Sequence, residues 1–273
     1  MNDWREVPVS STLKASLLIV HGAGEHYSRH LELAHTFARA GYYVGMGDLP
    51  GYGRAKGRRG HIENFQEYVD TVQTWAERLG KQCPSVPRFI FGHSLGGLVT
   101  ARLIEQQKGD RWNGVILSSP CFGLTLAVPG WKKRLARVLE YVWPTLRFKS
   151  GIDSGALCRN PDVRRQYQTD PLVVKKVSVQ WYWELQKALT LVHEDVDRFC
   201  SPVLILQGGE DRVVDPAATR RWYDRVPVDD KHLIWVEDGY HELLQDFGKE
   251  ELMKKLVAWA DLRIQNDTLT NKV

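Results

Sequence analysis

The strongest constraint on this chain is an alternation: short apolar runs ending in Gly, Asp or Ser are separated by longer segments whose apolar residues recur at helical spacing. That is the pattern of a mostly parallel sheet covered by helices, an α/β fold. The runs Ala15 to Val20, Tyr43 to Met46, Arg88 to Phe91, Gly114 to Leu117, Val203 to Gln207 and Leu233 to Val236 read as its strands, each with β-branched or aromatic residues. The clearest helix spans Phe65 to Leu79, where Phe65, Tyr68, Val69, Val72, Trp75, Ala76 and Leu79 share one face that should lie on the sheet. With 273 residues, 43% hydrophobic and 26% charged, the chain can bury a substantial core, and disorder is not the default reading.

The alternation breaks between about Cys121 and Arg198, where there is no convincing strand, several helical segments, and Trp131, Trp143, Trp181 and Trp183. This stretch reads as a helical cap (lid) inserted at 121–198, leaving residues 1–120 and 199–273 as the core. The polar end from Gln265 to Val273 should fray. Met1 to Ser11 is polar where a secretory signal needs an apolar stretch, and no run approaches the roughly 18 apolar residues of a membrane span, so a cytoplasmic protein is expected. Cys83, Cys121, Cys158 and Cys200 are far apart and lack metal-ligand spacing, which favours free thiols over a disulfide framework and gives no support to a metal site. No cofactor and no obligate protein partner are implied, and a formal charge of +4 argues by itself for neither nucleic acid nor membrane.

Gly92, His93, Ser94, Leu95 and Gly96 follow the strand Arg88 to Phe91 and precede an apolar helical run, Gly97 to Ile104. This is the setting a G-x-S-x-G nucleophile elbow requires: glycines two before and two after the serine let strand and helix approach closely around a strained turn. A chance match in a loop would lack those flanks. Ser94 is the candidate nucleophile, and the Leu95 N–H, at the start of the helix, is free to face a developing oxyanion.

A serine hydroxyl needs a base and an orienting acid, in the chain order Ser, acid, His. The strand Val203 to Gln207 is followed by Gly208, Gly209, Glu210, Asp211, Arg212, Val213, Val214 and Asp215, and Asp211 is the candidate acid, with Glu210 as its rival. Asp215 precedes Pro216 and reads as a helix N-cap. After the last strand, Gly239, Tyr240, His241 and Glu242 make His241 the candidate base; Asp238 is near in sequence but would have to fold back to reach it. His21, His26, His30, His35, His61, His93, His193 and His232 read as structural or solvated. His21, Gly22, Ala23, Gly24, Glu25 and His26 close the strand Ala15 to Val20 with a turn like the oxyanion loops of lipases and esterases, making the Ala23 N–H the second donor. A phosphate-cradling loop would need further glycines and a Lys that are missing.

These segments, with Arg29, with Cys158, Arg159 and Asn160, with Asp170, Pro171 and Leu172, and with Leu206, Gln207, Gly208 and Tyr240, resemble the monoacylglycerol lipases and related bacterial lysophospholipases among the serine aminopeptidase-like (S33) hydrolases, over nearly the full length. The resemblance implies an α/β-hydrolase that cleaves an ester carrying one acyl chain, with Ser94, Asp211 and His241 as triad, Ala23 and Leu95 as oxyanion donors, and Glu25 and Arg29 at the polar end of the pocket. Monoacylglycerol is the implied substrate and a lysophospholipid or phospholipid the alternative, since Gly45 to Gly51 and Arg58 to His61 look more like Bacillus-type phospholipases.

From Trp131 to Lys187 there are twelve Lys or Arg against five Asp or Glu, about +7, while the rest of the chain carries about −3. A basic, tryptophan-bearing cap could rest on an anionic bilayer, placing the protein peripherally at the inner membrane surface. The same composition also suits a solvated helical surface with its tryptophans in the core. An aminopeptidase would need a cap carboxylate for the substrate ammonium, in a region poor in acids. A hydrolase-fold ligand receptor would turn over slowly.

Overall fold

The structure, a computed structural model, describes residues 4–9, 12–107, 112–125 and 130–270, without the side chains of 131–136 and 266–270. Its seven-stranded sheet is built from β1 (Trp4–Val7), β2 (Ala15–Val20), β3 (Tyr42–Gly47), β4 (Arg88–His93), β5 (Gly114–Ser118), β8 (Val203–Gly208) and β9 (Lys231–Val236), in the order β1-β3-β2-β4-β5-β8-β9. Only β1 runs antiparallel, against β3. The six strands expected from sequence are all present, Ala15–Val20 with the expected bounds and the others longer by one or two residues, the additions being Tyr42, Gly47, Gly92, His93, Ser118, Gly208, Lys231 and His232.

Side chains alternate across a strand, so runs that are apolar throughout fill cores on both faces. Leu17 and Ile19 join Phe89, Phe91, Ile116, Leu204 and Leu206 against α1 (Leu31–Arg39) and α9 (Lys249–Thr270). Leu18 and Val20 join Ile90, Val115, Leu117, Val203 and Ile205 against α2 (Gln66–Gln82) and α3 (Leu95–Gln106). Each such fully buried side chain contributes about 1.5–3 kcal/mol. Helix α2 buries Tyr68, Val69, Val72, Ala76 and Leu79 of the stripe read from sequence. Strand β1, missed in sequence because Arg5 and Glu6 break its four residues, covers the β3 edge while Trp4 packs on Trp75 at 5.9 Å.

Between β5 and β8 the chain leaves the sheet through α4 (Gly130–Val142), β6 (Arg147–Lys149), α5 (Ser154–Leu157), α6 (Pro161–Thr169), β7 (Lys176–Ser178) and α7 (Val179–Glu194). The expectation of a strandless stretch is corrected here: β6 and β7 form an antiparallel ribbon of three residues each, too short to leave a period in the sequence. Trp181 is buried and donates to the Tyr68 hydroxyl (3.0 Å), Trp183 is half-buried under Arg137, and Trp143 is 57% exposed; the side chain of Trp131 lies outside the described residues. The chain returns through β8, α8 (Pro216–Arg225) and β9, and the Asp215 side chain caps α8 by accepting from the Ala217 N–H (3.0 Å). Helix α9 continues to Thr270 through the polar end expected to fray, and 271–273 lie outside the described residues. All four cysteines are free.

Helix α3 begins hard against the end of β2. A Cβ on Gly96 would lie 2.3 Å from the Val20 carbonyl oxygen and 2.5 Å from that of His21. Gly96→Ala should therefore lower stability by about 3 kcal/mol, read as a fall in the urea midpoint at unchanged slope.

Candidate active site

Ser94 joins β4 to α3 at φ 52° and ψ −117°, a backbone conformation that costs of order 1–3 kcal/mol outside glycine. Hydrogen bonds hold it there. Its N–H donates to Ser118 O (3.0 Å), and its carbonyl accepts from the N–H groups of Gly97 (2.9 Å), Leu98 (3.2 Å) and Cys121 (3.0 Å). The side chain is thereby lifted off the sheet toward the two loops that follow β8 and β9.

Those loops bring Asp211 and His241 to it. His241 Nε2 lies 2.9 Å from Ser94 Oγ, and His241 Nδ1 lies 2.8 Å from Asp211 Oδ2. With the ring proton on Nδ1, His241 donates to Asp211 and can accept from the serine hydroxyl. The second carboxylate oxygen of Asp211 accepts from the Val213 N–H (2.9 Å) and the Val214 N–H (3.0 Å). Burial raises the Asp211 pKa, but the charge and hydrogen bond of His241 and those two amides outweigh it and leave the carboxyl below its ordinary value. Burial likewise pulls His241 down; the Asp211 charge and hydrogen bond, with Glu242 and Glu25, reverse this and raise it. The rival acids lie elsewhere. Glu210 faces Arg212 in solvent (3.7 Å) and Asp238 pairs with Arg159 on the surface.

The loop contact is made by main chain. A Cβ on Gly208 would lie 2.4 Å from both the Gly239 and Tyr240 carbonyl oxygens, so the main chains of the acid-bearing and base-bearing loops approach this closely because that residue is glycine.

The Ala23 and Leu95 N–H groups have no acceptor among the described residues, and both residues line the cavity that also exposes Ser94. Glu25 and Arg29 lie behind that loop. Glu25 is 4% exposed; one carboxylate oxygen accepts from the Gly22 N–H (2.5 Å) and from His30 (3.0 Å), and the other from Arg29 Nε (3.2 Å). Arg29 also donates to Glu242 (2.7 Å) and lies over the Tyr167 ring. Neither Arg29 nor Glu25 lines that cavity; Glu25 borders narrow clefts beside Ser94 and His241 and beside His30 and His93, and both side chains are engaged by protein partners. Burial raises the Glu25 pKa, yet His30, His93 and Arg29 hold it well below the ordinary value, while burial and Glu25 together raise Glu242 against Arg29.

Sequence reasoning missed the roles of Glu242 and Tyr167 in this layer; His93, read from sequence as structural or solvated, is buried with its ring 5.0 Å from that of His241. Burial, opposed by Glu25, pushes His93 down to about 3, so it stays neutral beside the base. The adjacency of Glu242 to His241 and the four-residue spacing of Glu25 and Arg29 were the available signals.

The cavity over Ser94 has a volume of about 540 Å³, within the range of small-ligand sites. Its walls are mainly apolar, with Leu124, Val174, Val177, Trp181, Tyr182 and Leu185 from the β5–β8 insertion and its approaches; Lys149, Asp153 and Arg212 are its charged lining residues. Cys121 also lines it, and burial pushes that thiol up to about 12, which keeps it protonated. Among the described residues no cluster of three or more His, Cys, Asp or Glu is arranged to hold a metal.

The sequence profile described as "Serine aminopeptidase, S33" matches residues 11–247. The phospholipase YtpA of Bacillus subtilis (strain 168) is 37% identical over 248 residues, 90% of this chain and 95% of that protein. The monoglyceride lipase of Mus musculus is 32% identical over 262 residues, 93% and 85% of the two chains. The solved monoacylglycerol lipase of Paleococcus ferrophilus superposes with a TM-score of 0.86 at 31% identity, covering 96% of this chain and 99% of that one. The chain belongs to the serine aminopeptidase S33 family of α/β-hydrolases, in the group of carboxylic ester hydrolases that holds the monoacylglycerol lipases and lysophospholipases.

Proposed function

We propose that the protein hydrolyses a single-chain lipid ester, monoacylglycerol first, to a fatty acid and an alcohol through an acyl-enzyme on Ser94. The carrying observation is Ser94 Oγ, hydrogen-bonded to His241 and opening into a mainly apolar cavity. Residues 121–198 act as the cap over a core of 1–120 and 199–273. His241 Nε2 takes the Ser94 proton as Oγ attacks the ester carbonyl carbon, and the Ala23 and Leu95 amides hold the tetrahedral oxyanion. Collapse breaks the carbonyl–alkoxide bond, and the alcohol leaves with the proton from His241. Water, deprotonated by the same imidazole, then releases the acid. Asp211 keeps the ring oriented and balances its positive charge.

The buried carboxylates of Glu25 and Glu242 beside Ser94 and His241, with Arg29 already committed to both, weigh against an anionic head group close to the serine and so favour a neutral one. A phosphate there would meet negative charge. The second reading, a lysophospholipid, draws on Lys149 and Arg212 along the larger cavity and on the relative named as a phospholipase.

The protein also docks peripherally on anionic membrane from the cytoplasmic side. Among the described residues, five of the nine exposed large apolar side chains fall in one stretch: Val138, Tyr141, Val142 and Trp143 at the end of α4, and Phe148 at the cavity rim. Arg137, Arg147 and Lys149 are interspersed with them in sequence, a combination that suits the headgroup boundary of an anionic bilayer. No helix among the described residues is long and apolar enough to cross a membrane.

Ser94→Ala should lower turnover of a short aryl ester at least about a thousandfold, and a variant retaining most activity would refute the nucleophile. The acid limb of kcat/KM should inflect above the 6.5 of an ordinary imidazole, since activity is lost as pH falls through the raised His241 pKa. Asp211→Asn removes the raising charge, so the inflection should move down and kcat fall by about 10⁴; a pH–rate profile with an unmoved inflection counts against Asp211. In a panel of monoacylglycerols, lysophospholipids, diacyl lipids and aminoacyl anilides, monoacylglycerols should give the highest kcat/KM. Preference for lysophospholipids would install the second reading, turnover of the anilides a peptidase, and turnover of none a receptor. Sedimentation with vesicles should show binding to phosphatidylglycerol-containing membranes that weakens with salt and with Tyr141→Ser and Trp143→Ser together; salt-independent binding, or none, rejects the docking face.

A further inference from the structure

The loop carrying Ala23 is anchored on two sides. From the core, the Leu49 N–H donates to His21 Nε2 (2.8 Å), His21 Nδ1 donates to Gly22 O (2.8 Å), and Glu25 holds the Gly22 N–H. From the β5–β8 insertion, the Val174 N–H donates to Gly24 O (2.7 Å), and His26 Nε2 bonds Asp170 Oδ2 (2.9 Å). His26 is 4% exposed, its Nδ1 has no partner among the described residues, and its Nε2–H donates to Asp170.

Asp170 is itself pinned. Its other oxygen accepts from the Leu172 N–H (2.8 Å), closing the turn that follows α6. Arg59, from the loop after β3, spans back to that turn: one guanidinium nitrogen donates to Gly53 O (2.6 Å) and the other to Leu172 O (2.7 Å) and Pro171 O (3.5 Å). His26, Arg59 and Asp170 do not line the cavity, so their contacts cannot serve by gripping an acyl chain. They lead to Gly24, the residue after Ala23.

We propose that Asp170 and Arg59 are positioning residues that hold the Ala23 amide in register with Ser94, through His26 and the Gly24–Val174 hydrogen bond. The insertion thereby completes the oxyanion site as well as covering the substrate. This rests on the reading of Ser94 as nucleophile and Ala23 as oxyanion donor. A donor displaced by a few tenths of an ångström binds the ground state almost as before but stabilises the developing charge less, so the loss falls on kcat.

The substrates that separate this role from pocket-building are p-nitrophenyl acetate, whose acyl group is too short to use the cavity, and p-nitrophenyl decanoate, which uses it. Asp170→Ala should lower kcat about tenfold on both, with KM within about twofold. Affinity for a short trifluoromethyl ketone, which forms an oxyanion on the serine, should fall by a similar factor. Asp170→Asn keeps an acceptor for the Leu172 N–H but sets its amide NH2 against the His26 Nε2–H, so it should lose kcat and ketone affinity nearly as Asp170→Ala does. A defect confined to the decanoate, or full acetate turnover with unchanged ketone affinity, overturns the proposal. If Asp170→Ala does not fold, Arg59→Ala and Asp170→Asn are read by the same comparison, wild-type rates and ketone affinity in both being the overturning result. Wild-type acetate turnover that disappears in Ser94→Ala is the control: its failure removes the hydrolase reading, whereas its success with an unaffected Asp170→Ala removes only the positioning role.

Discussion

At Gly96 the first turn of α3 lies so close to the carbonyls of Val20 and His21 that a methyl group has no room, and three features of the site follow from this contact. The chain must turn from β4 into α3 within one residue, which forces Ser94 into its positive-φ conformation. The Leu95 amide, left without an intrahelical acceptor, opens onto the end of β2. The loop leaving β2 must bend away at once, carrying Ala23 past the serine. The proposed nucleophile and its two proposed amide donors, from separate parts of the chain, are thus referred to one backbone contact.

Beneath this lies a layer of buried charge. Arg29 bridges Glu25 and Glu242, while Glu25 also takes the Gly22 N–H and His30. Buried ion pairs contribute little net stability, because desolvation offsets their attraction. Their geometric effect is clearer: each charge has a fixed partner, so the loop before it and the residue after His241 are held together. The negative side of this layer faces the imidazole and favours its protonated form. Neutral His93 fills the remaining space without adding a competing cation.

Most of the sheet was legible because its strands are buried on both faces, which leaves unbroken apolar runs such as Ala15 to Val20. The triad geometry was legible for a related reason: Ser94, Asp211 and His241 each follow a strand end, where short loops keep sequence position and spatial position aligned. What escaped lacked periodicity. Strand β1 has charges at half its positions, and β6 and β7 have three residues each. Glu25 and Arg29 were readable as a polar pair, but their partners Glu242 and Tyr167 come from distant elements, so their commitment to the protein interior depends on tertiary contacts alone. The Asp170–His26 link, 144 residues apart, left no local mark.

The glycine contact between the loops after β8 and β9 has a consequence for change over time. Because the main chains of Gly208, Gly239 and Tyr240 set the spacing of Asp211 and His241, side chains around them can vary while the proton path keeps its length. Mutational drift is therefore tolerated more easily along the walls of the cavity over Ser94 than at one residue that does not line it. A lineage could retune which lipid enters without redesigning how its ester bond is broken.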